Sequence, residues 1–153
     1  MALTTTIKSK TFVLVYEGYS KLPCANHRAV AKLHGKEIGD FNISKGPNDT
    51  WNMTIYVEEE HRGKNLAAEL VKILCDNVLE KDKHSDILFD RNQKVYIDTD
   101  ANNDFWVGKL KMRENETYDS RENVEGSGYE LVMTFGELYD WAHLKTKNVL
   151  PGK

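Results

Sequence analysis

The chain reads as a mixed α/β domain organised around one sheet. Three observations predict this. Its first third is a series of segments rich in alternating or β-branched residues, separated by short glycine-containing turns. A long amphipathic helix opens directly after the most regular of these strands, and the last third returns to strand, short helix, strand and terminal helix. At 153 residues the chain can bury one normal core but not two joined by a linker, so residues 1–153 are expected to form a single domain.

In order, Thr11–Tyr16 is rich in β-branched and aromatic residues and predicts the first strand. Glu17–Asn26, with Gly18, Ser20 and Pro23, predicts a loop with at most one turn of helix. Arg28–Leu33 and Glu37–Ile43 flank His34-Gly35-Lys36, which has the length and glycine of a hairpin turn, and a second hairpin is expected at Lys45–Asp49. Trp51–Val57 alternates cleanly, with Trp51, Met53, Ile55 and Val57 on one face and Asn52, Thr54 and Tyr56 on the other.

From Asn65 onward, Leu66, Leu70, Ile73, Leu74 and Val78 fall at three- and four-residue intervals, predicting a helix of about five turns that ends near Lys81. Ile87–Phe89 is a short apolar segment of open type, and Lys94–Asp98 predicts a strand. Asn102–Lys111 fits a short helix and Asp119–Gly128 a polar loop. Tyr129–Thr134 returns to strand, and Thr134 with Glu137 has the spacing of a capping box that introduces a last helix through Leu138, Trp141 and Leu144.

Composition excludes several classes. Apolar content of 40% with 29% charged residues is that of a globular protein, and no apolar run approaches the roughly 20 residues that cross a bilayer. Met1–Lys10 lacks the basic start and apolar core of a secretory signal, which gives a cytoplasmic expectation and makes the Asn-x-Ser/Thr sequons at Asn42, Asn48, Asn52 and Asn115 chance matches. Cys24 and Cys75 have neither CxxC nor Cys/His spacing, so both are expected as reduced thiols. His27 and His61 are lone histidines, and no metal is assigned. The net charge of -3 argues against a nucleic-acid partner and is compatible with a cationic substrate.

The chemistry concentrates between the regular strand and the long helix. A helix start preceded by Arg62, Gly63, Lys64 and Asn65 combines free amides, the positive end of the helix dipole and two cationic side chains, a combination that holds phosphate. A phosphate-loop NTPase is excluded, because Gly63-Lys64 lacks both the upstream glycine and the following Ser/Thr. Glu58-Glu59-Glu60 can attract cations or simply be exposed.

Val57-Glu-Glu-Glu-His-Arg-Gly-Lys-Asn-Leu-Ala67, between strand and helix, resembles the acetyl-CoA loop of the GNAT superfamily of N-acetyltransferases. Arg62 and Ala67 match the family pattern, while Asn65 stands where glycine is usual. Asparagine is the non-glycine residue that best tolerates a left-handed backbone. Asp98-Thr-Asp-Ala-Asn-Asn-Asp-Phe-Trp-Val-Gly-Lys-Leu-Lys-Met112 more loosely resembles the family's second, Asn-containing strand-to-helix segment.

The resemblance implies a GNAT-like fold, a mostly antiparallel sheet with a splayed parallel strand pair flanked by helices. It also implies acetyl-CoA as cofactor and direct attack of an amine on the thioester. Backbone groups near Tyr56 and Val57 would meet pantetheine, and Arg62, Gly63, Lys64, Asn65, Leu66 and Ala67 would take the pyrophosphate. Asn102, Asn103 and Trp106 would complete the cofactor side. Either Trp106 or Val107 stands where many members have a tyrosine, so the general acid has no assigned residue.

Asp98 and Asp100, ending a strand beside the cleft, are candidate proton acceptors, and they fit turn or helix-cap aspartates equally well. The family commonly places one or two helices between the first strands as a wall of the acceptor site, and only Glu17–Asn26 is available here, so the resemblance implies an acceptor side that is open or completed by a second subunit. A small cationic amine such as a polyamine is the expected substrate. A protein lysine or N-terminal amine, and a non-catalytic acyl-CoA-binding module, are the alternatives.

Overall fold

The structure is a computed structural model, and it describes residues 2–7, 10–19, 26–45, 50–62, 65–78, 91–97, 104–116, 125 and 129–147. Among these residues eight strands form one mixed sheet. They are β1 (Ala2–Ile7), β2 (Lys10–Tyr19), β3 (Asn26–Leu33), β4 (Lys36–Lys45), β5 (Trp51–Val57), β6 (Lys94–Ile97), β7 (Arg113–Glu114) and β8 (Leu131–Thr134), in the spatial order β1, β2, β3, β4, β5, β6, β8, β7. Two α-helices, α1 (Leu66–Asp76) and α2 (Phe135–Lys147), pack against each other; α1 also lies on β2, β3 and β4, and α2 on β8.

The first five strands form an antiparallel meander. The sequence expectation missed β1, a threonine-rich strand that pairs along the whole of its length with β2. It also placed the end of β2 too early. Glu17, Gly18 and Tyr19 continue the ladder opposite Arg28, His27 and Asn26, because pairing with β3 offers their backbone groups partners that an isolated loop would lack.

His34 and Gly35 form the β3–β4 turn with φ of 52° and 80°, the paired left-handed geometry that suits the twist of a two-residue hairpin. Lys36 therefore belongs to β4, not to the turn. The expected turn at 46–49 lies outside the described residues, and β4 and β5 pair on either side of it, with Lys45 opposite Trp51.

β5 follows its alternation to the residue: Trp51, Met53, Ile55 and Val57 are buried, while Thr54 and Tyr56 are exposed. These four join Phe12, Leu14, Phe41 and Ile43 from the neighbouring strands and Leu66, Leu70 and Leu74 from α1 in the core. Each such side chain contributes roughly 1.5–3 kcal/mol on burial.

α1 continues through Asn77 and Val78 in a wider, π-type turn, and the expected end near Lys81 and the segment Ile87–Phe89 lie outside the described residues. The expected helix at Asn102–Lys111 is a π-helical turn over Asp104–Lys109, shorter and wider than an α-helix. Leu110 N–H donates to Phe105 carbonyl at 3.0 Å, five residues back, and Lys111 stops the turn at φ 58°. The wide winding lets Trp106 enter the core completely. Of the loop expected at Asp119–Gly128 only Glu125 is described.

The Thr134–Glu137 capping box forms as its spacing predicts. Glu137 N–H donates to Thr134 Oγ1 at 3.2 Å, and Thr134 N–H donates back to the Glu137 carboxylate at 2.9 Å, so the last residue of β8 starts α2.

Candidate functional site

The sheet is antiparallel except between β5 and β6. That pair is parallel, and among the described residues its register sets Trp51 opposite Val95 and Asn52 opposite Tyr96; β6 is described as far as Ile97. On the other side of β5 the approach is unusually close. Gly39 of β4 sits where an added Cβ would stand 2.9 Å from the Tyr56 carbonyl oxygen and 3.3 Å from Val57 Cγ2.

Close by, β4 carries one extra residue relative to β3. Ala31 pairs with Gly39 and Lys32 with Glu37, which leaves Ile38 as a bulge. The Ile38 carbonyl accepts the Glu58 amide at 2.8 Å, tying the end of β5 to the bulge.

From there the chain makes a 3-10 turn over Glu59–His61, closed by the His61 amide on the Glu58 carbonyl at 2.9 Å and the Arg62 amide on the Glu59 carbonyl at 3.2 Å. Arg62 turns its Nε back onto the Val57 carbonyl at 2.7 Å, so this cation is fixed across the end of β5 while its residue as a whole stays exposed. Gly63 and Lys64 lie outside the described residues. Asn65 then enters α1 in the left-handed conformation, φ 61° and ψ 13°, with its carbonyl accepting the Glu69 amide at 3.1 Å as the first helical bond. Its side chain makes no capping bond.

Among the residues expected at the site, Tyr56, Val57, Arg62, Asn65, Leu66 and Ala67 are therefore contiguous around the end of β5 and the start of α1. Tyr56 is 54% exposed, whereas Leu66 is anchored in the core. Trp106 is also described, but its ring is fully buried against Phe105, and its Nε1 has no hydrogen-bond partner. Val107, the other residue at the tyrosine-like position, is 46% exposed. Asp98, Asp100, Asn102 and Asn103 lie outside the described residues; β6 ends at Ile97, immediately before Asp98.

Titration is shifted at two nearby groups. Burial pushes Glu69, in the first turn of α1, above the ordinary carboxylate range, and Lys72 partly offsets this. Burial, reinforced by Asp76, pushes the Cys75 thiol well up, so Cys75 is a packing residue and not a thiolate nucleophile. Cys24 lies outside the described residues.

One arrangement escaped the sequence. Glu58, Glu60 and His61 bring a ligand atom each to within 4.8 Å of one another, and His61 is only 3% exposed. Linear spacing hides this, because it depends on the chain turning with three residues per turn at that point.

No helix among the described residues is long and apolar enough to cross a membrane. No protein-family model matches the chain, and no curated protein matches it. Solved structures do. RimJ of Mycobacterium smegmatis, in complex with CoA-disulfide, superposes with a TM-score of 0.53 at 11% identity, over 97% of this chain and 94% of that one. A cAMP-binding acyltransferase from Mycobacterium smegmatis superposes with a TM-score of 0.55 at 8% identity, over 94% of this chain and 55% of that one, so this chain spans about half its length. A chimeric spermidine N-acetyltransferase, SpeG from Vibrio cholerae with hSSAT, reaches a TM-score of 0.45 at 15% identity, over 74% and 69% of the two chains. With one parallel pair among the described residues and the loop that leads from β5 into α1, the chain has a GNAT-like fold, that of the acyltransferases it superposes on.

Proposed function

We propose that the protein is an acetyl-CoA-dependent N-acetyltransferase acting on a primary amine. The observation that carries this reading is the loop that leads from the end of β5 into α1 through left-handed Asn65, in a fold like that of RimJ, which was solved with CoA-disulfide. The residues present suit the cofactor's two ends. The backbone of β5 can offer hydrogen-bonding groups to an amide-rich arm such as pantetheine, and a helix start preceded by Arg62, whose side chain is fixed across the end of β5, offers positive charge to a pyrophosphate.

Acetyl-CoA supplies the acetyl group as a thioester, already activated toward an amine. In this reading Tyr56 and Val57 orient the pantetheine arm through their backbone. Arg62, Gly63, Lys64, Asn65, Leu66 and Ala67 hold the pyrophosphate. Asn102, Asn103 and Trp106 complete the cofactor side; since the Trp106 ring is sealed in the core, its share falls to the backbone. Asp98 and Asp100, following the end of β6, accept the proton that an ammonium must lose before it can attack.

The acceptor in this reading is a small cationic amine of the polyamine kind. The net charge of -3 and the acidic run Glu58–Glu60 steer cations toward the end of β5. A second copy of the chain would complete the acceptor wall, since only six residues, 20–25, separate β2 from β3.

A thiol-release assay with acetyl-CoA and a panel of polyamines, lysine peptides and peptides with free N-termini tests the reading. Turnover is expected with polyamines. Turnover confined to peptides would reassign the acceptor to a protein lysine or N-terminal amine, and measurable CoA binding with no turnover would make the chain an acyl-CoA-binding module. CoA binding undiminished in the double variant Arg62→Ala, Lys64→Ala would overturn the role given to the loop.

A further inference from the structure

Successive side chains of a strand point to opposite faces of its sheet. In β5 the buried residues Trp51, Met53, Ile55 and Val57 face the core that α1 completes, so Asn52, Thr54 and Tyr56 face the other way. β6 runs parallel with Tyr96 opposite Asn52, which puts Tyr96 on that second face and leaves Val95 and Ile97 in the core. Although it points away from α1, Tyr96 is only 2% exposed.

The chain that follows β7 reaches Tyr96. Its hydroxyl donates to the Glu125 carboxylate at 3.0 Å, and the Tyr129 ring lies beside its own with centroids 6.2 Å apart, tilted by 42°. This segment is tied down. The Asn115 side chain donates to the Tyr129 carbonyl at 2.7 Å, the Asn115 amide to the Glu130 carbonyl at 2.8 Å, and the Glu130 amide to the Ile97 carbonyl at 3.1 Å. Glu125 and Tyr129 are both half-buried. Burial, reinforced by Glu125, pushes the Tyr96 phenol well up, so it stays a donor and holds one oxygen of the carboxylate in place.

A fixed carboxylate flanked by tyrosine rings suits one kind of ligand group. An alkylammonium donates charge-assisted hydrogen bonds to the carboxylate, is attracted by aromatic faces, and packs its methylenes on them. The position along the sheet adds a length. Tyr96 is level with Asn52, and Tyr56 lies four residues further along β5, about 13 Å away at roughly 3.3 Å per residue. Thr54 and Tyr56, which line the way between them on this face, are exposed.

We propose that Glu125, positioned by Tyr96 and flanked by Tyr129, binds the second ammonium of the acceptor amine. The subsite rests on the acetyltransferase reading, which sets the pantetheine arm along the backbone of Tyr56 and Val57. It deepens that reading by making a long polyamine the preferred acceptor over a monoamine, which leaves the carboxylate without a partner. Glu125 touches the substrate in this scheme, and Tyr96 acts only through Glu125.

The test is thiol release by the full chain at saturating acetyl-CoA, with spermidine and butylamine as acceptors. In Glu125→Gln the KM for spermidine is expected to rise at least about ten-fold with kcat little changed, the loss of one charge-assisted contact. Tyr96→Phe is expected to raise it by a smaller factor, and Glu116→Gln, an exposed acid outside the cluster, to leave it as in the parent. Butylamine has no second ammonium, so its KM should not follow these changes. A purely structural role for the Tyr96 and Glu125 pair would weaken both amines alike. That result, or an unchanged KM for spermidine in Glu125→Gln, would overturn the subsite while the acetyltransferase reading stands. If the parent turns over no amine, that reading falls, and equilibrium dialysis of labelled spermidine against the CoA-saturated chain decides the subsite by itself. Binding weakened in Glu125→Gln would sustain it, and binding that is absent or unchanged would overturn it.

Discussion

Replacing Asn65 with valine is expected to lower stability by about 1–2 kcal/mol, and the reasoning rests on one backbone conformation. Asn65 stands at φ 61° and ψ 13°. The left-handed region costs an ordinary L-residue about 1–2 kcal/mol, and a β-branched residue is among the least tolerant of it. Because the exposed Asn65 side chain makes no capping bond, the substitution removes no native hydrogen bond and isolates the backbone term. For a chain of this size each kcal/mol moves the melting temperature by about 2–4 °C, so a drop of about 2–8 °C is expected in thermal denaturation followed by circular dichroism. Asn65→Gly is the matched control. Glycine accepts positive φ without strain, and it should stay within about 0.5 kcal/mol of the parent. If valine were as stable as asparagine, or if glycine fell as far as valine, the conformation at Asn65 would not be what positions the start of α1. CoA affinity measured on the same variants should follow the valine loss, since relaxing Asn65 redirects the amides that follow it.

Three further outcomes follow from packing and charge. Gly39→Ala should cost about 1–3 kcal/mol, because its Cβ would meet the Tyr56 carbonyl at 2.9 Å and backbone there cannot swing aside; amide exchange should accelerate in β5 more than in β1 or β2. Trp106→Ala should cost about 3–5 kcal/mol in urea denaturation, whereas Trp106→Phe should cost much less, since the indole N–H donates to no partner that would be left unsatisfied. The bidentate Arg113 pair at 2.8 and 3.0 Å, opposed in part by burial and aided by the Thr134 amide and hydroxyl, holds Glu137 at about 2. A folded value below the unfolded one stabilises above the unfolded value, about 4.5, and that contribution is lost as pH falls toward 2. Arg113→Ala should therefore be less stable than the parent at pH 7 by under about 1 kcal/mol, both side chains being about half exposed, and the gap should close between pH 4.5 and 2.

Local physics made much of the fold legible. The alternation in Trp51–Val57 states which face is buried, and the structure buries those four residues because a strand packed on one side admits no other register. Leu66, Leu70, Ile73 and Leu74 likewise mark the inner stripe of α1, and Thr134 with Glu137 marks the start of α2 through bonds between residues three apart. The tolerance of asparagine for positive φ was also readable, and Asn65 uses it. The proton-accepting role assigned to Asp98 and Asp100 rests on sequence alone, both residues lying outside the described ones.

What the sequence determined by itself was periodicity, caps and turns, each decided by residues within about four positions of one another. Partners distant in the chain decided the rest. β1 and the outer end of β2 are strands because neighbouring strands satisfy their backbone, and no local pattern announces such pairing. That β6 lies parallel beside β5, with Val95 opposite Trp51, is likewise decided by the sheet's three-dimensional course. The wide turn at Asp104–Lys109 follows from the need to bury Trp106. The meeting of Glu58, Glu60 and His61 required a 3-10 turn pinned to a bulge in β4, a contact between Glu58 and Ile38 that separation along the chain conceals.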